Sequence, residues 1–101
     1  MKVLSDLLYK SGIEEVKGGT NRSVNSICFD SRQATRDSMF VATRGSNVDG
    51  HLFIDATIKN GSIAIVCEEF PNKIVDVITY IKVKNSSYAL GVIASNFYDN
   101  P

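Results

Sequence analysis

Five consecutive apolar residues, Ile63-Ala64-Ile65-Val66-Cys67, stand between polar neighbours and are too few to make a buried helix. A run like this predicts a strand covered on both faces, as in the middle of a parallel sheet. Around it, strand-like and helix-like segments alternate, which implies an α/β sandwich with at least some parallel pairing. The expected fold class is therefore α/β, with a small mixed sheet of about five strands flanked by helices.

Leu4, Leu7 and Leu8 have helical spacing ahead of Gly12, so the first dozen residues predict a short amphipathic helix. Residues 13–16 suit a short strand, and Lys17-Gly18-Gly19-Thr20-Asn21 is a turn-rich connector. Residues 24–29 and 39–43 read as strands. Asp49 is placed to cap a helix over 50–60 with Phe53, Ile54, Ala56 and Ile58 toward the core, and Gly61 suits the position after its end. Phe70-Pro71-Asn72 is a loop. Residues 79–84 alternate, Ile81 and Val83 against Lys82 and Lys84, as in a half-exposed strand. Ser86 or Ser87 caps a last helix with Leu90, Ile93, Ala94 and Phe97 inward.

A length of 101 residues predicts a single domain, 1–101, with a modest core. Eleven basic and eleven acidic residues leave no formal net charge, which argues against a general nucleic-acid-binding role. No apolar run is long enough for a membrane-spanning helix, and the start lacks the apolar stretch of a secretion signal. Cys28 and Cys67 lie in apolar runs without metal-ligand spacing, as buried reduced thiols of a cytoplasmic protein would. One histidine and two distant cysteines are too few ligands for a metal site. The closing Phe97-Tyr98-Asp99-Asn100-Pro101 leaves a helix and meets a proline, the pattern of a domain boundary.

The chemistry gathers between Phe29 and Gly61. Two apolar strands each empty into a polar loop, and the second loop opens a helix, as where α/β folds build anion or nucleotide sites. In the first loop, Ser31 offers a hydroxyl to a phosphate or carbonyl oxygen. Asp30 and Arg32 are read as pairing with each other or capping the turn. Phe29, directly before them, is placed to pack against a base. The second loop, Thr43-Arg44-Gly45-Ser46-Asn47-Val48-Asp49-Gly50, offers backbone amides at a helix start, suited to uracil edges or phosphate oxygens. It is not a P-loop, since Gly-x-x-x-x-Gly-Lys-Ser/Thr occurs nowhere. His51, in the first turn of the helix, reads as a structural or rim residue. No Ser-His-Asp set has a supporting signature, so no catalytic residue is assigned.

The combination Phe29-Asp-Ser-Arg, Met39-Phe-Val-Ala, Gly45, Asp49-Gly-His-x-Phe-Ile, Ala56-x-Ile58, Gly61 and Ala64-Ile-Val resembles the N-terminal domain of the bacterial Mur ligases. It is most similar to the branch that adds the third residue of the peptidoglycan stem peptide, and the closing Ala94-Ser-Asn-Phe-Tyr-x-Asn-Pro carries the resemblance nearly to the chain's end. The resemblance implies a domain that holds the UDP end of UDP-N-acetylmuramoyl-L-alanyl-D-glutamate in the cytoplasm. Carried over by position, the substrate contacts are Phe29, Ser31, Ser46, Asn47 and Val48, supported by Asp30, Arg32, Gly45, Asp49, Gly50 and His51. No cofactor is implied for this domain. ATP and magnesium would serve the full-length ligase through a central domain, and a C-terminal domain would bring diaminopimelate or lysine. The implied partners are the UDP-N-acetylmuramoyl-dipeptide and those two domains; charge and apolar-run length predict no nucleic acid and no membrane partner, and monomer is the default state.

One departure stands out. The family carries glycine in the turn before the Phe-Val-Ala strand, whereas this chain has Thr35-Arg36-Asp37-Ser38, so a locally different turn with little effect on the pocket is expected. Two other readings remain open from the residues alone. One is a protein-interaction module without a ligand, expected to expose a contiguous apolar patch. The other is a small hydrolase using Asp30 or His51 as base, which needs His51 and a carboxylate at one cavity.

Overall fold

A computed structural model describes residues 1–45 and 48–98. A five-stranded sheet runs through the middle, built from β2 (Ile13–Lys17), β4 (Ser26–Cys28), β5 (Ser38–Val41), β6 (Ala64–Cys67) and β7 (Thr79–Val83). Across the sheet the order is β2-β7-β6-β5-β4; β4, β5, β6 and β7 run parallel and β2 pairs antiparallel with β7. The apolar run that predicted a central strand is β6, third in that order. A separate two-stranded ribbon pairs β1 (Lys2–Val3) with β3 (Ser23–Val24). The mixed α/β sheet anticipated from the sequence is the observed one.

Side chains alternate across the sheet, as strand geometry requires. Met39, Val41, Ala64, Val66, Ile81 and Val83 face α1 (Leu4–Leu7) and α3 (Ser86–Phe97), packing with Leu4, Leu7, Leu8, Ala89 and Ile93. Cys28, Phe40, Ile65, Cys67 and Tyr80 point the other way, onto Ile54 and Ile58 of α2 (Ile54–Lys59) and onto Phe70, Val75 and Ile78 of the connection before β7. The result is three layers. Both cysteines are buried and free, and burial pushes their thiols up, that of Cys67 to about 11.

Several boundaries differ from the sequence reading. The first helix is only Leu4–Leu7: Lys2–Val3 are drawn into the ribbon with β3, and after Leu8 the chain turns, with Lys10 at φ +62°. The strand expected over 24–29 breaks at Asn25, whose N–H turns to the carbonyl of Asp37 at 2.9 Å, leaving β3 and β4 on either side. Far from being half-exposed, β7 is interior. Its Tyr80 is fully buried and its hydroxyl accepts the Val75 N–H at 3.1 Å, so the connection between β6 and β7 covers that face. The cap of α3 is neither serine: Asn85 accepts the Tyr88 N–H through its side chain at 2.9 Å.

The turn at 35–38 is closed by the Ser38 N–H on the Thr35 carbonyl at 3.2 Å, with Asp37 at φ +61°. Asp37 thus takes the left-handed conformation that glycine adopts without steric cost. Thr35, Arg36, Asp37 and Ser38 are all absent from the lining of the cleft beyond β4 and β5. Relief of that backbone strain should outweigh the added flexibility of a glycine. Asp37→Gly is therefore expected to stabilise the fold by about 0.5–1 kcal/mol. Thermal unfolding checks this, with a rise of roughly 3–6 °C in Tm expected for a domain of this size.

Candidate functional site

Parallel α/β sheets leave crevices beyond the carboxyl ends of their strands. Here β4 ends at Cys28 and β5 at Val41, and the chain leaving each strand walls a cleft of about 440 Å³. Phe29, Asp30, Ser31 and Arg32 come from the first exit; Thr43, Gly45, Val48, Gly50 and Phe53 come from the second, and Phe40 of β5 forms part of the lining. The lining is largely apolar. Phe29 is 61 % exposed and Phe53 38 %, so two aromatic rings present open surface at one cleft. Exposed rings at a crevice provide stacking surface for a planar group.

The first wall is a single 3-10 turn, Ser31–Gln33, capped by Asp30. Asp30 Oδ1 accepts from both the backbone N–H and Nε of Arg32 at 3.0 Å, and Oδ2 accepts from Nη2 at 2.7 Å. The Arg32 side chain and backbone amide hold the Asp30 carboxyl down at about 2, and the carboxylate in turn raises the guanidinium. Asp30 and Arg32 therefore pair and cap, as their spacing suggested. Ser31 sits between them, half-buried, and no side chain among the described residues engages its hydroxyl.

The second wall begins as a narrow turn. Gly45 N–H donates to the Val48 carbonyl at 3.0 Å and Gly50 N–H to the Thr43 carbonyl at 2.8 Å. Gly50 is needed for that closeness, because a Cβ there would stand 3.0 Å from the backbone N and O of Thr43. Asp49 acts as a cap, accepting the His51 N–H at 3.0 Å. The element it caps, however, is the 3-10 turn Gly50–Phe53, and the α-helix begins only at Ile54. Three residues per turn shift the phase, so Ile54, Thr57 and Ile58 turn inward while Phe53 and Ala56 are exposed. Phe53, expected in the core, lines the cleft instead.

Asp49 and His51 stand behind the cleft, outside its lining. The imidazole is a structural bridge: Nε2 accepts the Glu68 N–H at 2.9 Å, which leaves Nδ1 to donate to Asp49 Oδ1 at 2.7 Å. Of the residues singled out by sequence, Phe29, Asp30, Ser31, Arg32, Gly45, Val48 and Gly50 line one cleft together. Ser46 and Asn47 lie outside the described residues. Phe40, Thr43 and Phe53 were missed. Phe40 is fully buried and its pattern is that of any core position; Thr43 stands in the second loop, where its hydroxyl was a signal for a polar lining group. Among the described residues no group of His, Cys, Asp and Glu could hold a metal ion, and no helix is long and apolar enough to cross a membrane.

Comparison with known proteins gives a consistent result. The family described as "Mur ligase family, catalytic domain" matches residues 23–98. The UDP-N-acetylmuramoyl-L-alanyl-D-glutamate–2,6-diaminopimelate ligase of Cytophaga hutchinsonii is 50 % identical over 99 residues, covering 97 % of this chain and 20 % of that protein. The ligase of the same name from Parabacteroides distasonis is 41 % identical over 98 residues, again 97 % of this chain and 20 % of the relative. The chain thus spans about a fifth of the length of these curated relatives. A crystal structure of MurF from Acinetobacter baumannii superposes with a TM-score of 0.78 at 22 % identity over 96 % of this chain and 21 % of that one, a likeness of fold. MurF from Thermotoga maritima, solved in complex with ADP, gives 0.63 at 28 % identity over 76 % of this chain and 17 % of that one.

Proposed function

The chain belongs to the Mur ligase family, and on that premise we propose that residues 1–101 are the substrate-holding N-terminal domain of a longer ligase. The cleft would hold the uridine end of UDP-N-acetylmuramoyl-L-alanyl-D-glutamate. The names of the relatives favour 2,6-diaminopimelate as the amino acid that the whole enzyme joins to it in peptidoglycan synthesis. The observation that carries this reading is the cleft itself: exposed Phe29 and Phe53 beside a Ser31 hydroxyl that no side chain among the described residues engages, at the ends of two parallel strands. In this reading the rings pack against the uracil, while Ser31 and the loop at 45–50, Ser46 and Asn47 included, supply donors to its edge or to phosphate oxygens.

ATP and magnesium are assigned to the rest of the ligase. In this reading they act through the central domain, and no residue of the cleft is assigned to either. The central and C-terminal domains of the same protein are its proposed partners and the cytoplasm its proposed place. Alone, the chain binds substrate and does not catalyse ligation.

Arg32 spends Nε and Nη2 on Asp30, so the described lining contains no unpaired cation for phosphate. Base and ribose therefore supply most of the affinity, which is expected at about 4–6 kcal/mol, high micromolar to millimolar. An amide chemical-shift titration with uridine, UDP and the UDP-N-acetylmuramoyl-dipeptide, using AMP as control, is the test. Saturable shifts at Phe29, Ser31, Gly45 and Val48 with the uridine ligands alone are expected, with uridine and UDP within about tenfold of each other. Equal shifts with AMP, or none with the dipeptide substrate, would overturn the assignment.

A further inference from the structure

Arg44 stands between Thr43 and Gly45, both of which line the cleft, where an arginine would ordinarily be taken as a phosphate ligand, yet its exposed guanidinium is met by three carboxylates. Nε is 3.5 Å from Asp49 Oδ2, Nη1 is 3.4 Å from Glu68 Oε1, and Nη2 is 3.2 Å from Glu69 Oε1. With three carboxylates around one guanidinium, Arg44 is already committed to acids rather than free for a phosphate. The other oxygen of Glu68, Oε2, accepts both the N–H and the hydroxyl of Ser86 at 2.7 Å. The Glu68 N–H donates to His51, and His51 donates to Asp49.

These contacts close a ring, Arg44–Asp49–His51–Glu68–Arg44, anchored through Ser86 on the first turn of α3. The ring joins three pieces of chain: the stem of the cleft loop, where Arg44 bridges to Asp49, the residue after β6, and the start of α3. Neither Glu68 nor Ser86 lines the cleft, whereas Gly45, Val48 and Gly50 do. Force applied by the ring therefore reaches the cleft only through the shape of that loop.

We propose that Arg44 and Glu68 are positioning residues, a clamp that holds the cleft loop against the end of β6 and so sets the affinity for the nucleoside without touching it. The proposal rests on the cleft being the uridine site. Because Arg44 acts through geometry, breaking the clamp weakens uridine and UDP alike, whereas a phosphate ligand would matter for UDP alone.

The experiment titrates uridine and UDP separately into the 101-residue chain and its Arg44→Met and Glu68→Gln variants, and follows hydrogen exchange at the Gly45 and Gly50 amides. Each variant is expected to lose about three- to tenfold in affinity for both ligands, with faster exchange at both glycines. The double variant should fall little below the weaker single one, since both break one unit. Arg44→Lys, which keeps the charge without the fork, recovers only part of the loss. Loss of UDP binding with uridine unchanged would make Arg44 a phosphate ligand and overturn the clamp. So would faster exchange with both affinities intact, which is a structural role alone. If the unsubstituted chain binds neither ligand, the nucleotide reading fails and the clamp falls with it; if it binds and both variants match it, only the clamp fails.

Discussion

Replacing Gly61 with alanine is expected to destabilise this fold by about 3 kcal/mol, combining an unfavourable backbone conformation with steric overlap. Gly61 ends α2 at φ +110°, a conformation that residues with a Cβ rarely adopt. A Cβ there would stand 2.6 Å from Arg36 Cα and 2.9 Å from Arg36 N. The neighbour is backbone, and that backbone is fixed: the Gly61 carbonyl accepts the Asp37 N–H at 2.8 Å, and the Asp37 carbonyl accepts from Asn25. Relief would require moving the turn that leads into β5. For a domain of this length the corresponding fall in Tm is roughly 12–24 °C. Arg36→Ala should not rescue it, because the overlap is with the main chain. A Gly61→Ala chain that melts within about 3 °C of the parent would show that α2 and the turn before β5 are not packed this closely.

That close approach also separates what local sequence reveals from what it hides. Gly61 was legible as a helix end, because glycine after an apolar helix is a local signal. Its role as the seat for residues 35–37 was not, since it depends on a segment about 25 residues away. The same division runs through the molecule. The central strand β6 was readable because both faces are apolar in sequence. Its neighbour β7 was misread as half-exposed because Phe70, Val75 and Ile78, which cover Tyr80, come from an irregular connection without periodicity. On the second wall, the cap at Asp49 was visible, but the 3-10 geometry after it was not. That single turn moved Phe53 from the expected core to the cleft. The clamp was illegible for a related reason: Arg44, Glu68 and Ser86 are far apart in sequence and meet only once β6 is laid beside β5.

Ser31→Leu is expected to abolish uridine-dependent shifts while leaving the fold intact. Ser31 opens the 3-10 turn whose rigidity comes from its neighbours, Asp30 and Arg32, joined by two side-chain bonds and one to the backbone. Its hydroxyl has no structural partner among the described residues, so removing it costs the fold little. The side chain borders a cleft of about 440 Å³, and a leucine would fill part of that volume at the proposed edge of the base. Ser31→Ala separates the two effects. It leaves the space open and removes one hydrogen bond, worth about 1 kcal/mol, so a roughly fivefold weaker affinity is expected. Unfolding curves for both variants should overlay that of the parent, which ensures that lost binding is not lost structure. If Ser31→Leu binds uridine as well as the parent does, the nucleoside sits elsewhere and the first wall has no part in it. If Ser31→Leu fails while Ser31→Ala is unchanged, the wall shapes the cleft and the hydroxyl donates nothing.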